Sequence, residues 1–553
     1  MGLHPAVEER LARLAPDQRA AATAPPGPVL CVAPAGSGKT TTLVARICWL
    51  VANGADPAQI TAVTFNKRAA QELGERLAAA LAPLELGPLP PRVRTFHALG
   101  REILAEAGVS VANLVDRAEV LRRVRGRPVP AAELRRLDDA FSRIKLDLLL
   151  DADALVEEPR TEADHPPDDP AGTIPADVRA AFVAYENALR SSNAVDFDDL
   201  VRRALAVLRD RADVLAAWRE RCTHLLVDEV QDVDRSQLEL AVMLCEPARQ
   251  VFLVGDDDQT IYAWRLADVR RVLDLAASLP GLRRVDLVTN YRCPRPVVER
   301  AVRLIEGNRE RFAKVIRAGP AAAGHLFLLP DAGDDLARAR RLLREWVGHA
   351  PGVHAVLART NAELAPFAAV ALEMGIPYRA AEDGLLLDDP ALVELLEPTE
   401  VGRSEVPPAV VLARRDGPLA RSLTAWAAPY RTWADFRLAI AETRRRRAEL
   451  RRDDAELVLA TAHGTKGLEF DHVAVIGLDD GVFPSRRTLE EADDPLRALE
   501  EERRLAYVAW TRARRSLLLV YDTAAPSVFV REAFSAAELQ ASATASAEQR
   551  RAA

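Results

Sequence analysis

The sequence predicts an α/β protein with two cores of parallel sheet flanked by helices, each core interrupted by a mainly helical insertion. Three observations carry this. Short β-branched runs that end in turn or acidic residues stand out from a helical background at 29–33, 60–65, 224–227, 251–254, 355–357, 458–460, 473–476 and 516–520. Strands alternating with helical segments indicate parallel sheets, because parallel neighbours need a crossover between them. The runs also fall into two groups, before about residue 255 and after about 355. Finally, 553 residues suit roughly three to five structural units of about 100–200 residues each.

Composition narrows the class. Apolar residues make up 49% and charged residues 28%, ordinary for a soluble globular chain and too apolar for a disordered one. No stretch approaches the roughly 18–20 apolar residues of a membrane span, and the first residues lack an apolar core behind a basic start, so a cytoplasmic protein with no membrane association is expected. Cys31, Cys48, Cys222, Cys245 and Cys293 lie far apart with no C-x-x-C pair, which argues against a disulfide framework or a Cys-based zinc site and for small buried hydrophobes. With a net charge of -8, any nucleic-acid binding must work through local basic grooves. Only five of the 74 basic residues are lysine: Lys39, Lys67, Lys145, Lys314 and Lys466. In so arginine-rich a chain, a retained lysine hints at a place that wants a compact ammonium rather than a broad guanidinium fork.

The first strand-like run leads into Ala33-Pro34-Ala35-Gly36-Ser37-Gly38-Lys39-Thr40-Thr41 and then a helical stretch. This is the phosphate-loop pattern with alanine in the first glycine place. Gly36 and Gly38 let backbone N–H groups converge on phosphates at a helix N-terminus. Lys39 supplies a point charge for the β and γ oxygens of ATP, and the Thr40 hydroxyl can hold Mg²⁺. The alternative is a chance Gly/Ser turn before a helix; G-K-T at a strand–helix junction argues against it. The run 224–227 ends in Asp228-Glu229. Asp228 suits the hydrated Mg²⁺, and Glu229 can polarise an attacking water as general base. Alone, such a run is more often a strand end with solvated acids. Paired with the loop, it indicates hydrolysis.

The remaining motifs resemble superfamily-one DNA helicases of the UvrD/PcrA/Rep type, in that family's order, from about residue 13 to 533. LAPDQRAA is similar to the glutamine motif, which implies that Gln18 reads the adenine edge. DEVQDVDRSQ (228–237) continues the acidic motif, and GDDDQTIYAWR (255–265) resembles the third, which places Gln259 at the γ-phosphate and Tyr262, Trp264 and Arg265 on the single strand. TNYRCP (289–294) resembles the fourth, with Tyr291 stacking on adenine and Arg292 reaching the γ-phosphate. TAHGTKGLEFDHV (461–473) resembles the fifth, with Glu469 near the ribose. EERRLAYVAWTRARR (501–515) resembles the sixth, with Arg512 as arginine finger. DFDDL (196–200), RTNAEL (359–364) and GIPYR (375–379) are further landmarks. The fold implied is two RecA-like P-loop NTPase cores, closing on ATP and released by hydrolysis.

The track implied is single-stranded DNA and its junctions with duplex. Thr64, Phe65, Lys67 and Arg68 in TFNKRAAQEL, His97 in TFHALG, and Tyr262 and Trp264 combine aromatics with nearby basic groups, which suits base stacking and backbone neutralisation. Phe65 and Trp264 are expected to stack; Lys67, Arg68 and His97 are expected at phosphates. On their own, aromatics in an α/β protein are more often core residues; position within the motifs reverses that. On the resemblance, Arg359, Thr360, Asn361 and His463 join the DNA side. Arg444–Arg447 with Arg451 and Arg452 suggest a DNA-facing helix or, by a simpler reading, a solvated charge-laced one. Asp256, Asp257 and Asp258 look like a metal cluster, but in this motif the loop shape and Gln259 matter.

The organisation expected is a first core at 1–100 and 201–283 with a helical insertion at 101–200, a second core at 284–380 and 457–535 with a shortened insertion at 381–456, and a disordered tail at 536–553. Irregular stretches are expected at 158–175 and 397–408. Pro34 and Thr41 depart from glycine and arginine in relatives. The short second insertion puts the duplex-contacting role of that region in question. Three functions follow: an ATP-dependent 3′–5′ DNA helicase of repair or recombination, a single-strand translocase that strips proteins or works with a protein partner, and a nucleotide-gated binder without turnover. The motifs read backbone and stacking, which leaves RNA open as the track.

Overall fold

The computed structural model describes residues 3–85, 90–127, 129–147, 155–156, 174–320, 323–331, 334–385, 387, 406–414, 423–424 and 426–552. The irregular stretches expected at 158–175 and 397–408 lie outside the described residues, apart from 174–175 and 406–408. The chain forms two compact units: Met1–Tyr291 with Arg309–Arg317, and Arg292–Asn308 with Ala318–Ala553.

The first unit is built on a six-stranded, all-parallel sheet of β1 (Val29–Val32), β2 (Ile60–Thr64), β3 (Arg92–Thr95), β4 (His224–Val227), β5 (Val251–Gly255) and β6 (Arg283–Asp286), in the order β3-β2-β4-β5-β1-β6. Its four central strands are apolar runs because both faces are covered. Leu30 and Val32 pack with Leu225, Leu253 and Trp218 on one side. Val29 and Cys31 pack with Leu226, Phe252 and Ile47 on the other. The helix Asp199–Asp210 buries Leu200, Val201, Ala204, Leu205 and Leu208, a helical spacing that turns one face into the core on this side of the sheet. Beyond it, the helices Arg117–Arg125, Ala131–Leu146 and Ala176–Ser191 enclose Phe141, Phe182 and Tyr185 as a separate small core.

The second unit repeats the plan with β7 (His325–Pro330), β8 (His354–Ala358), β9 (Tyr378–Arg379), β10 (Leu457–Thr461), β11 (Phe470–Val475) and β12 (Ala513–Tyr521), all parallel, in the order β9-β10-β8-β11-β12-β7. A satellite core of Leu387, Leu412, Leu423, Ala427, Trp433, Phe436 and Ile440 sits in the second insertion. On its helix Trp433–Leu450, Arg444, Arg445 and Arg446 are exposed, as the charge-laced reading expects, while Arg447 is buried. Arg447 is held by Asp383 at 2.7 Å, Arg446 donates to the Glu373 carbonyl and Arg451 to that of Ala380. All five cysteines are buried and free.

One expectation is overturned. Residues Ala536–Ala552 are helical rather than a disordered tail. The Ser535 hydroxyl and N–H donate to Glu538 at 2.7 and 2.8 Å, Arg300 pairs with the same carboxylate, and the Ser542 hydroxyl donates to the Leu328 carbonyl at 3.3 Å. The Ala/Ser/Gln composition read as fraying is, once capped and docked, dominated by the best helix former.

Candidate nucleotide site and nucleic-acid face

β4, β5 and β1 are neighbours, and their carboxyl ends carry the Asp228–Glu229 pair, the 255–259 turn and the 33–41 loop. In such a sheet, that is where ligands bind. Ala33, Pro34 and Ala35 run buried into the turn at Gly36 and Gly38, whose φ angles are 68° and 85°. A Cβ on Gly38 would meet the Gln18 amide nitrogen at 2.6 Å, so this position needs glycine twice over. The helix Lys39–Ala52 then starts, with Thr40 half-buried and Thr41 exposed on its first turn. Gln18 is buried; its Nε2 donates to the Ser37 carbonyl at 2.8 Å while its Oε1 accepts from Ala15 N–H. The Ser37 hydroxyl is enclosed without a hydrogen-bond partner, which suits a loop shaped for an absent acceptor-rich group. Tyr291 N–H donates to the Gly36 carbonyl at 2.9 Å, and its ring is half exposed.

Lys39 Nζ lies 3.5 Å from Glu229 Oε1. Glu229 has φ 53°, a left-handed conformation that costs a non-glycine residue on the order of 1 kcal/mol and clusters at functional sites. Gln231 donates its amide to Glu229 Oε2 and accepts the Asp256 N–H at 3.0 Å. Asp256 Oδ2 in turn accepts from Gln259 Nε2 at 2.6 Å. Gly255 makes room for this link, since a Cβ there would lie 2.3 Å from Gln231 Oε1. Burial and the neighbouring Glu229 charge push the Asp228 carboxyl up to about 7, against the pull of Lys39. The buried Asp228 carboxyl beside half-buried Glu229, with a hydroxyl at Thr40, fits a hard divalent cation such as Mg²⁺. The three aspartates that look like a metal cluster instead surround the Lys314 ammonium.

The stacking residues also converge within the first unit. Phe65 and Tyr262 stack at 5.2 Å and 8°, and Trp264 stands edge-on to Tyr262. Trp264 is 53% exposed, with the Arg265 guanidinium 4.6 Å above its ring. The Thr64 hydroxyl donates to the Asn66 carbonyl, and Asn66 caps the helix Lys67–Leu81. Lys67 and Arg68 are therefore exposed on a helix N-terminus, a favourable place for phosphate. His97 differs from these two cations. Burial pushes its imidazole down to about 4, against the charge of Asp198, so the ring is neutral near pH 7. It stacks on Phe197 at 3.9 Å.

Phe197, inside the DFDDL landmark, is 52% exposed, with both flanking aspartates, Asp196 and Asp198, tied down by Arg117. An aromatic between two acids was its available signal. Gln231 was legible only as the glutamine of the acidic motif. Lys314 had no motif, only its rarity as a lysine.

The other candidates lie in the second unit. Arg292 pairs with Glu469 at 2.7 Å. The buried Arg512 guanidinium donates to the Val508 and Leu468 carbonyls and to the Thr511 hydroxyl. Arg359 is not presented as a free DNA contact: it forks onto buried Glu502 at 2.9 and 2.7 Å. Thr360 caps the helix Asn361–Met374, and Asn361 donates to Glu382 at 2.6 Å. Burial, then Arg359, pushes His463 down to about 4, which leaves it neutral.

Fold and loop together define a P-loop nucleotide-binding protein with two parallel-sheet units. Residues 14–280 match the UvrD/REP helicase N-terminal domain, and residues 437–524 match the UvrD-like helicase C-terminal domain. ATP-dependent DNA helicase UvrD2 of Mycobacterium tuberculosis H37Rv is 30% identical, over 92% of this chain and 78% of its own length. DNA helicase II of Escherichia coli K12 is 27% identical, over 91% and 84%. ATP-dependent DNA helicase Rep of the same strain is 25% identical, over 91% and 90%. The chain belongs to the UvrD/REP helicase family.

Proposed function

We propose that the chain is an ATP-dependent DNA helicase that moves 3′ to 5′ along single-stranded DNA and separates duplex ahead of it, in a cytoplasmic repair or recombination setting. One observation supports this most: the unbroken link Lys39–Glu229–Gln231–Asp256–Gln259, which joins the phosphate loop to a carboxylate base and to the turn leading into Tyr262 and Trp264. Glu229 would accept the proton of the attacking water, and Lys39 would balance charge at the phosphoryl oxygens. Mg²⁺, held by Thr40 and Asp228, would supply further charge neutralisation there. The assignments of Arg292 and Arg512 to the γ-phosphate, of Tyr291 and Gln18 to adenine and of Glu469 to the ribose rest on the motif resemblance, as do the 3′–5′ direction and the division into two cores and two insertions.

The test is unwinding of a 3′-tailed duplex by the purified chain with ATP and Mg²⁺, against blunt and 5′-tailed duplexes and Glu229→Gln. Separation of the 3′-tailed substrate alone is expected. The compact second insertion, with its satellite core of seven buried residues, favours one alternative: a single-strand motor that turns over ATP but separates strands only with a protein partner. DNA-stimulated turnover without separation would select it.

A further inference from the structure

Lys314 lies on the 309–317 segment, far in sequence from every element of the nucleotide site, yet in the same unit. Its ammonium is fully enclosed and meets Asp256 at 3.0 Å, Asp258 at 2.9 Å and also Asp257. The segment adds Arg311, which forks onto Asp258 at 2.9 and 2.7 Å, and Phe312, whose N–H donates to Asp257 at 2.8 Å. Three buried carboxylates in succession repel one another and lack water to screen them, so the turn keeps this shape only around a cation. An ammonium meets the need, since three tetrahedral donors suit three converging acceptors where a flat guanidinium does not. Asp256 is shared: Oδ1 takes Lys314, Oδ2 takes the Gln259 amide, and its N–H reaches Gln231, which holds Glu229.

We propose that Lys314 is a positioning residue of the hydrolytic site: its ammonium fixes the 256–259 turn and, through Asp256 and Gln231, sets Gln259 and Glu229 for attack on the terminal phosphoryl group. It acts through these residues and does not touch the nucleotide. The role rests on the reading of the first unit as an ATP-hydrolysing site.

The test uses the full chain with an oligothymidine activator, following steady-state ATP turnover and the affinity for a fluorescent ADP analogue. For Lys314→Met, kcat falls about 10–100-fold while ATP KM and analogue affinity stay within about twofold, as misplacement without loss of binding requires. Lys314→Met/Asp257→Asn recovers part of kcat, because one fewer carboxylate is left uncompensated. Parental kcat in folded Lys314→Met overturns the role, and so does a fall in kcat matched by a fall in the titrated fraction of binding sites, which marks a purely structural lysine. Should the single variant not fold, the double carries the test: reduced kcat with retained affinity supports the role, and parental kcat overturns it. No turnover in the parent chain, with Glu229→Gln indistinguishable from it, would sink the hydrolytic reading itself; turnover in a parent that Lys314→Met matches sinks the positioning role alone.

Discussion

Lys145 and Lys314 solve the same electrostatic problem for different ends. Each side chain is wholly enclosed and each meets three carboxylates: Glu186, Asp196 and Asp199 at 2.6, 2.9 and 3.1 Å for Lys145, and Asp256, Asp257 and Asp258 for Lys314. The partners of Lys145 come from the helix Ala176–Ser191 and from the 196–199 turn, while the lysine sits on the helix Ala131–Leu146. Removing it unpins whole helices. The partners of Lys314 are consecutive residues of one turn, so removing it disturbs a single loop, the one that carries Gln259. The spread of an ion cluster along the chain thus decides whether it holds architecture or geometry.

The sharpest break of this comparison is Lys145→Met. It leaves three buried carboxylates with Arg117, Arg202 and Arg203 as their remaining cations, and a loss of about 3–5 kcal/mol is expected by denaturant titration. ATP turnover per folded molecule should stay at the parental level. A drop in turnover without a drop in stability would show that the Lys145 cluster serves the site after all. Next in size is Gln231→Leu, which cuts the link between Glu229 and Asp256. Its hydrogen bonds to Glu229, Asp232 and Asp256 go, and the Asp256 N–H is left unpaired. A fall in kcat of about 10–50-fold, with nucleotide affinity retained, is expected in steady-state ATPase assays. Unchanged kcat would confine the Lys314 cluster to its own turn.

What the sequence revealed follows the same division. All eight strands read from β-branched runs are interior strands: β1, β2, β4, β5, β8, β10, β11 and β12. The other strands of the two six-stranded sheets, β3, β6, β7 and β9, are their edges. An edge strand is covered less completely, so RVRT of β3 and RRVD of β6 carry arginines that an interior strand could not bury. The nucleotide loop was legible because phosphate binding demands particular residues at contiguous positions. Gln231 and Lys314 were not, because their work is defined by what lies opposite them in space. Arg359 and His97 show what motif membership leaves out: the guanidinium pairs with Glu502, and burial keeps the imidazole neutral near pH 7. The tail was misjudged because composition alone does not show the cap at Ser535 or the strand it docks on.

Asp257 and Asp196, one carboxylate from each cluster, should answer pH with opposite signs, while Asp256 beside Asp257 is held low by Lys314 against its burial. Burial, then its two aspartate neighbours, hold Asp257 up at about 6 despite Lys314. The folded state therefore binds more protons than the unfolded chain between about pH 4 and 6, and the stability this gives is present at low pH and lost as pH rises through 6. Burial would raise Asp196 as well, but Lys145 and Arg117 outweigh it and hold the carboxyl well below the usual range. Its contribution is present above pH 4 and lost only on strong acidification. Hydrogen-exchange protection, corrected for intrinsic rates, should fall around 256–260 from pH 5 to 7 and hold steady in Ala131–Leu146. Parallel changes would mean that the clusters share one charge balance.

The smallest expected effect tests whether the Lys145 cluster is purely architectural. Asp196 belongs to that cluster and Asp198 shares Arg117 with it, and Phe197 between them is turned outward onto His97. A ring half exposed and already stacked on one neutral partner offers its edge and remaining face to an unpaired base. Such a contact is worth about 1 kcal/mol at the lower end of base stacking. Phe197→Ala should weaken binding of an oligothymidine, followed by fluorescence anisotropy, about fivefold, with ATP turnover in the absence of DNA unchanged. Trp264→Ala should weaken it by at least as much, since that ring is exposed to a similar degree and carries Arg265 above it. If Phe197→Ala binds the oligonucleotide as tightly as the parent, the outward ring is incidental to the turn that Arg117 and Lys145 hold, and that cluster's work ends with the helices.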